Sequence, residues 1–139
     1  MFNPIITIEM LNEKFNINMT KFLGIEYTDF GSNFLAGKMP VNERTQQPFG
    51  ILHGGASVVF AESLGSLASN LIVDQEKQYC VGLDINANHV KGLKEGFVYG
   101  KATAVHIGKR THIWQIDITN DKQELVCTSR LTIAVIDKK

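Results

Sequence analysis

The chain has 139 residues, enough for one domain with a real core and too few for two of ordinary size. Its 14 basic and 14 acidic side chains cancel, and no basic block stands out, which argues against a nucleic-acid or anionic-membrane surface. No apolar run is long and clean enough to span a bilayer. Cys80 and Cys127 have no metal-ligand spacing and, with no signal peptide in view, read as reduced thiols of a cytoplasmic protein.

Thr7 to Phe15 puts Ile8, Leu11 and Phe15 at helical spacing and predicts a short amphipathic helix, with a further turn over Met19 to Leu23. Ile25 to Phe30 and Asn33 to Met39 flank Gly31-Ser32 as the strands of a hairpin. Pro40 to Gln46 is polar and loop-like. Gln47 to Val73 is the centre of the chain: Pro-Gly punctuation, then His53-Gly54-Gly55, then a helix-compatible run from Ala56 to Val73. That run has apolar or small residues on every face, the pattern of a helix buried inside a protein.

After Asp74 the period becomes two. Tyr79, Val81, Leu83, Ile85 and Ala87 alternate with Cys80, Gly82, Asp84, Asn86 and Asn88, predicting a half-buried strand. Phe97 to His106, Thr111 to Thr119 and Glu124 to Ile136 are three more, and their short connections make them antiparallel neighbours. The expected architecture is a single α+β domain over residues 1–139: five or six antiparallel strands with one long buried helix packed along them.

Between Arg44 and Asp74 the only formal charge is Glu62. A carboxylate in an apolar run is costly. Glu62 therefore either pairs with a basic group elsewhere or does chemistry. Ser66, four residues on, shares its helix face and can hydrogen-bond it or hold a common water. His53-Gly54-Gly55 at a helix start leaves N–H groups at the positive end of the dipole, able to receive an oxyanion; the bland alternative is loop glycine and a satisfied histidine. Gln47 on the approach loop is a neutral group able to polarise a carbonyl. The four histidines (53, 89, 106 and 112) show no metal-ligand spacing, so no metal is expected.

At these residues the chain resembles the hotdog-fold acyl-CoA thioesterases. The likeness is to the PaaI-like and Arthrobacter-type 4-hydroxybenzoyl-CoA thioesterase branch, and within it to bacterial hydrolases of 1,4-dihydroxy-2-naphthoyl-CoA and related thioesters. The segments LGIEYTDFG, MPVNERTQQPFGILHGGASVVFAESLGS and NANHVKG carry it, along nearly the whole chain. The resemblance implies a hotdog fold, a sheet wrapped around the central helix. It also implies hydrolysis of an aryl- or medium-chain acyl-CoA to free acid and CoA, with no cofactor beyond the substrate's own CoA. Glu62 would be the nucleophile, or the base that activates water, and the Gly54 N–H would hold the oxyanion. Gln47 and His53 would position the carbonyl and the Gly54 loop, with Gly55 beside them. Ser66, where the family often has Thr, would orient the carboxylate or the water.

Coenzyme A also needs cationic groups for its phosphates, and His89 with Lys91, and Gly108-Lys109-Arg110, lie at strand ends where such residues bind. Two rival readings remain: a hotdog dehydratase, whose usual His-Pro and Pro-Gly context ILHGGAS lacks, and a non-catalytic acyl-CoA-binding hotdog protein with Glu62 merely buried.

Helix geometry adds a prediction. Gly54 and Glu62 are eight residues apart, about 12 Å along the axis. An oxyanion donor and an attacking carboxylate must each lie within about 3 Å of one reacting centre. If both act on one carbonyl, they come from two chains. A C2 homodimer is thus the expected minimal unit, and the resemblance implies further assembly into a homotetramer.

Overall fold

The computed structural model describes residues 1–2 and 5–139. Helix α1 (Ile8–Lys14) starts where Thr7 Oγ1 accepts from the Met10 N–H at 3.1 Å, with Glu9 in its first turn and Lys14 in its last. Asn12 on α1 then brackets the next element. Its Oδ1 accepts from the Tyr27 N–H at 2.9 Å and its Nδ2 donates to the Tyr27 carbonyl at 2.8 Å. After α2 (Asn18–Phe22), β1 (Glu26–Phe30) and β2 (Phe34–Pro40) form the expected hairpin.

Helix α3 (Gly54–Asn70) is followed by β3 (Gln78–His89), β4 (Phe97–Ile107), β5 (Thr111–Thr119) and β6 (Leu125–Asp137). The six strands make one sheet in the order β1-β2-β4-β5-β6-β3, each neighbouring pair antiparallel. The sheet wraps α3 closely enough to require glycine at the contact. A Cβ on Gly65 would lie 2.5 Å from Leu131, and one on Gly100 would lie 2.8 Å from Leu64. Phe60, Leu64, Trp114, Ile116, Leu131 and Ile133 are fully buried between the layers. Removing a ring such as that of Phe60 would cost about 3–5 kcal/mol. Among the described residues no helix is long and apolar enough to cross a membrane.

Three features differ from the sequence reading. The helix begins before Ala56, because His53 caps it and draws both glycines into the first turn. It ends at Asn70 rather than Val73. There the Asn70 side chain departs to β3, accepting from the Cys80 N–H at 2.8 Å and donating to the Cys80 carbonyl at 3.0 Å. Nor is α3 enclosed equally all round: Val58, Val59, Glu62, Ser63, Ser66 and Asn70 are only half-buried, since one sheet covers one side of a helix.

The alternation along β3 also fails as a single phase. Tyr79, Val81 and Leu83 are 43%, 43% and 69% exposed, while Cys80 between them is buried. The pairing with β6 slips between Gly82 and Asp84, leaving Leu83 as the extra residue of a bulge. Beyond it the phase is reversed, and Ile85 and Ala87 turn inward, half-buried. Because β3 is an edge strand, its first half presents an apolar row along an edge whose Cys80 N–H and carbonyl are taken by the Asn70 side chain.

Candidate active site

The site is built on the two ends of the half-open face of α3. At its start, His53 is extended (φ −70°, ψ 128°) and its Nδ1 accepts from the Gly55 N–H at 2.8 Å. An accepting Nδ1 places the ring proton on Nε2. The His53 carbonyl takes the Ala56 N–H at 3.0 Å, so the N–H groups after Gly54 are occupied. The Gly54 N–H itself has no acceptor among the described residues. His89, at the end of β3, lies against this turn: a Cβ on Gly54 would come within 2.8 Å of its Nε2. Gly54, Ser57, His89 and Lys91 share a cleft of about 290 Å³. The Lys91 ammonium pairs with Glu124 at 3.3 Å on the rim.

Gln47 sits in a tight loop closed by the Gln47 N–H on the Ile51 carbonyl (2.8 Å) and the Gly50 N–H on the Gln47 carbonyl (2.9 Å). Gly50 takes the positive φ (+79°) that this turn needs. The Gln47 Oε1 accepts from the Phe49 N–H, which leaves its amide NH₂ as the outward donor.

Two turns along α3, Glu62 lies over β3. A Cβ on Gly82 would fall 2.3 Å from its Oε2, so the missing side chain there is what makes room for the carboxylate. The alternative of a paired, structural Glu62 finds no partner. The salt bridges among the described residues are Lys38–Glu26, Lys77–Asp74 and Lys91–Glu124, and Glu62 accepts no hydrogen bond from a described residue. Ser66 shares the face, but the direct Glu62–Ser66 hydrogen bond is not made.

Within one chain the predicted residues fall into separate groups. Gln47, His53, Gly54, Gly55, His89 and Lys91 gather at the start of α3, whereas Glu62 and Ser66 lie farther along it. Gly108-Lys109-Arg110 is not beside His89 and Lys91. The Arg110 carbonyl accepts from Val135, which pairs with Cys80, so this turn sits at the opposite end of β3. Clustering in sequence carried no information about which end of the sheet each turn would reach.

Toward the end of α3, its sheet side holds a paired polar network. Ser69 Oγ receives the Trp114 Nε1–H at 2.8 Å and meets His112 Nδ1 at 2.9 Å, all three being buried. Burial pushes the His112 imidazole below its ordinary value; the Gly108 carbonyl opposes this, and His106 adds a smaller charge effect in the same direction as burial. Ser69 Oγ thus ties both buried rings to α3, accepting from the Trp114 indole and meeting the His112 Nδ1.

Three residues escaped the sequence reading. Gly82, Ser57 and Tyr27 give, respectively, the space for Glu62, an unpartnered hydroxyl in the Gly54 cleft, and a phenol beside Ser66. A glycine inside an alternating strand was the one available signal, since such a glycine marks a bulge or a close approach.

The same architecture occurs in solved hotdog thioesterases. A crystal structure of a variant of thioesterase PA1618 from Pseudomonas aeruginosa matches with a TM-score of 0.95 at 46% identity, over 99% of both chains. Thioesterase HI1161 from Haemophilus influenzae matches at 0.92 and 44% identity, over 98% of this chain and 94% of that one. Fold and site thus define a hotdog-fold hydrolase of thioesters. In sequence, the chain is 50% identical over 131 residues to the 1,4-dihydroxy-2-naphthoyl-CoA hydrolase of Escherichia coli K12, covering 94% of this chain and 96% of that one. It is 42% identical over 131 residues to the proofreading thioesterase EntH of Cronobacter turicensis, covering 94% and 95%. Residues 49–127 match the Thioesterase superfamily, and the chain belongs to that family.

Proposed function

We propose that the protein hydrolyses an acyl-CoA with an aryl or medium-chain acyl group to the free acid and CoA, in sites shared by two copies of the chain. One observation carries this reading: among the described residues the half-buried Glu62 has no cation or hydrogen-bond partner, on the same helix whose Gly54 N–H has no acceptor among them either. The thioester oxygen accepts from Gly54, with the Gln47 amide and the His53 Nε2–H as neighbouring donors. Glu62 of the second copy either attacks the carbonyl carbon or takes a proton from the attacking water, and Ser66 steadies that group. The tetrahedral intermediate collapses with departure of the CoA thiolate, which is then protonated. If Glu62 attacks directly, water cleaves the resulting anhydride. An oxyanion donor of this kind is worth about 10²–10³ in rate. The chemistry needs water and no cofactor.

The shared site is supported by the helix geometry and by β3. Two copies of the β3 edge carrying Tyr79, Val81 and Leu83, which apart from the Asn70-bonded Cys80 groups has no neighbouring strand among the described residues, can pair antiparallel about a two-fold axis. Such pairing carries Gly108-Lys109-Arg110 of one copy toward His89 and Lys91 of the other, a joint cationic border for CoA phosphates. A homotetramer is a pair of these dimers. Relatives named as a CoA hydrolase and a proofreading thioesterase support the substrate class.

The test is thiol release from benzoyl-CoA and hexanoyl-CoA, followed with DTNB alongside analytical ultracentrifugation. Release by a dimer or larger assembly is expected. An active monomer, or no release from any acyl-CoA, would overturn the proposal; absorbance change of an enoyl-CoA without thiol release would favour the dehydratase.

A further inference from the structure

Tyr27 is a core residue by burial, 3% exposed, yet its phenol oxygen is unused. Its backbone N–H and carbonyl are both satisfied by Asn12, but the hydroxyl has no hydrogen-bond partner among the described residues. A buried hydroxyl without a partner costs about 1–3 kcal/mol. Nor is the oxygen sealed in: among the described residues the fully enclosed side-chain polar atom without a partner is Asn16 Oδ1, not the Tyr27 oxygen. The Tyr27 oxygen therefore opens onto space, and the space that Tyr27 lines is a cleft of about 370 Å³ shared with Phe15, Ser66, Leu67, Asn70 and Tyr79. Burial pushes the phenol up to about 12, so it stays protonated and acts as a donor across the working range.

This cleft adjoins the catalytic face, since Ser66 belongs to both. Phe15, Leu67 and Tyr79 form its apolar walls beside the phenol, the Ser66 hydroxyl and the Asn70 amide, and Gln75, Gln78 and Lys138 complete the lining with side chains bonded to the Asn70 carbonyl, Asp137 and the Gln75 carbonyl. The Asn70 amide is already committed, donating to the Ser66 and Cys80 carbonyls. Asn70 Oδ1 is taken by the Cys80 N–H. Beside the Ser66 hydroxyl, the Tyr27 hydroxyl is thus an uncommitted donor of this lining among the described residues.

The geometry points to Tyr27 as a specificity-determining residue: its hydroxyl donates to an oxygen substituent carried by the acyl group away from its thioester. The inference rests on the hydrolase reading and narrows it, from any acyl group that fits an apolar cleft to one that brings its own polar atom. A site built to hydrogen-bond a substituent rejects the analogue lacking it, because the buried group is then left bare.

Wild type and Tyr27→Phe are compared by DTNB thiol release on benzoyl-CoA and its 2-, 3- and 4-hydroxy derivatives, with Tm measured for both. Wild type should favour at least one hydroxy isomer over benzoyl-CoA by about 10–100-fold in kcat/KM. Tyr27→Phe should collapse that preference to within about threefold, leave benzoyl-CoA hydrolysis within about threefold, and keep or raise Tm, because the hydroxyl it removes has no partner in the fold. The inference is overturned if wild type has no isomer preference. It is equally overturned if the variant slows all four substrates alike, or if it loses Tm or fails to fold, each of which makes the hydroxyl structural. Thiol release from none of the four by wild type instead sinks the hydrolase reading, and this inference with it.

Discussion

The two sides of α3 obey opposite rules. Against the sheet, small residues and glycine let the backbone approach closely, and Ser69 joins Trp114 and His112 in a closed network. On the other side, Glu62, Ser66 and, across the cleft, Tyr27 keep polar atoms that no described residue satisfies. A fold stabilised by its paired groups has no use for the unpaired ones. Stability and chemistry are thus divided by helix face, one turn at a time.

Substitutions that separate the faces give the sharpest tests. Glu62→Gln should lower kcat by about 10³ or more while leaving Tm and oligomeric state unchanged, as measured by steady-state kinetics and ultracentrifugation. A collapse of the fold would return Glu62 to a structural role. Gly82→Ala places a methyl where the Glu62 carboxylate now lies, and the displaced acid should cost about 10²-fold in kcat with the strand intact. Normal turnover by that variant would mean the carboxylate does not work from this position. On the sheet side the signs reverse. Ser69→Ala strands the Trp114 N–H and the His112 nitrogen, and should destabilise by about 1–3 kcal/mol in chemical denaturation with kcat within about twofold of wild type.

The smallest effect is one of pH. His112 binds a proton less readily folded than unfolded, so the unfolded state takes up more protons as pH falls. Its contribution is complete above about pH 6.5 and is lost as pH drops from there toward the lowered folded-state value. Replacing His112 by Gln should flatten the fall in Tm below that pH, and an unchanged slope would assign the acid sensitivity to other groups.

Much of this was readable from residue order. The hairpin about Gly31-Ser32, the β5 strand Thr111–Thr119 and the long helix after His53-Gly54-Gly55 follow from turn chemistry and periodicity. The family of thioester hydrolases was legible because HGG, Glu62 and Ser66 keep a fixed spacing. What local pattern does not encode is where a strand lies in a sheet. Tyr79, Val81 and Leu83 look like a core-facing row, and only the edge position of β3 and its slip at Leu83 turn them outward. For the same reason, the two cationic clusters at His89-Lys91 and Lys109-Arg110 do not tell from sequence that they lie at opposite ends of β3. Tyr27 was invisible because its message is an absence of partners, and sequence spells residues rather than the bonds they leave unmade.

That slip sets how the gene can change length. Deleting the Leu83 codon would close the bulge and leave Ile85 and Ala87 opposite Leu131 and Ser129, whereas deleting one between Asp84 and His89 would shift the register with β6 and carry His89 away from Gly54. Between Asp84 and His89 the reading is therefore rigid in length, so insertions and deletions should accumulate in the exposed 121–124 turn or at the Leu83 bulge and spare this stretch.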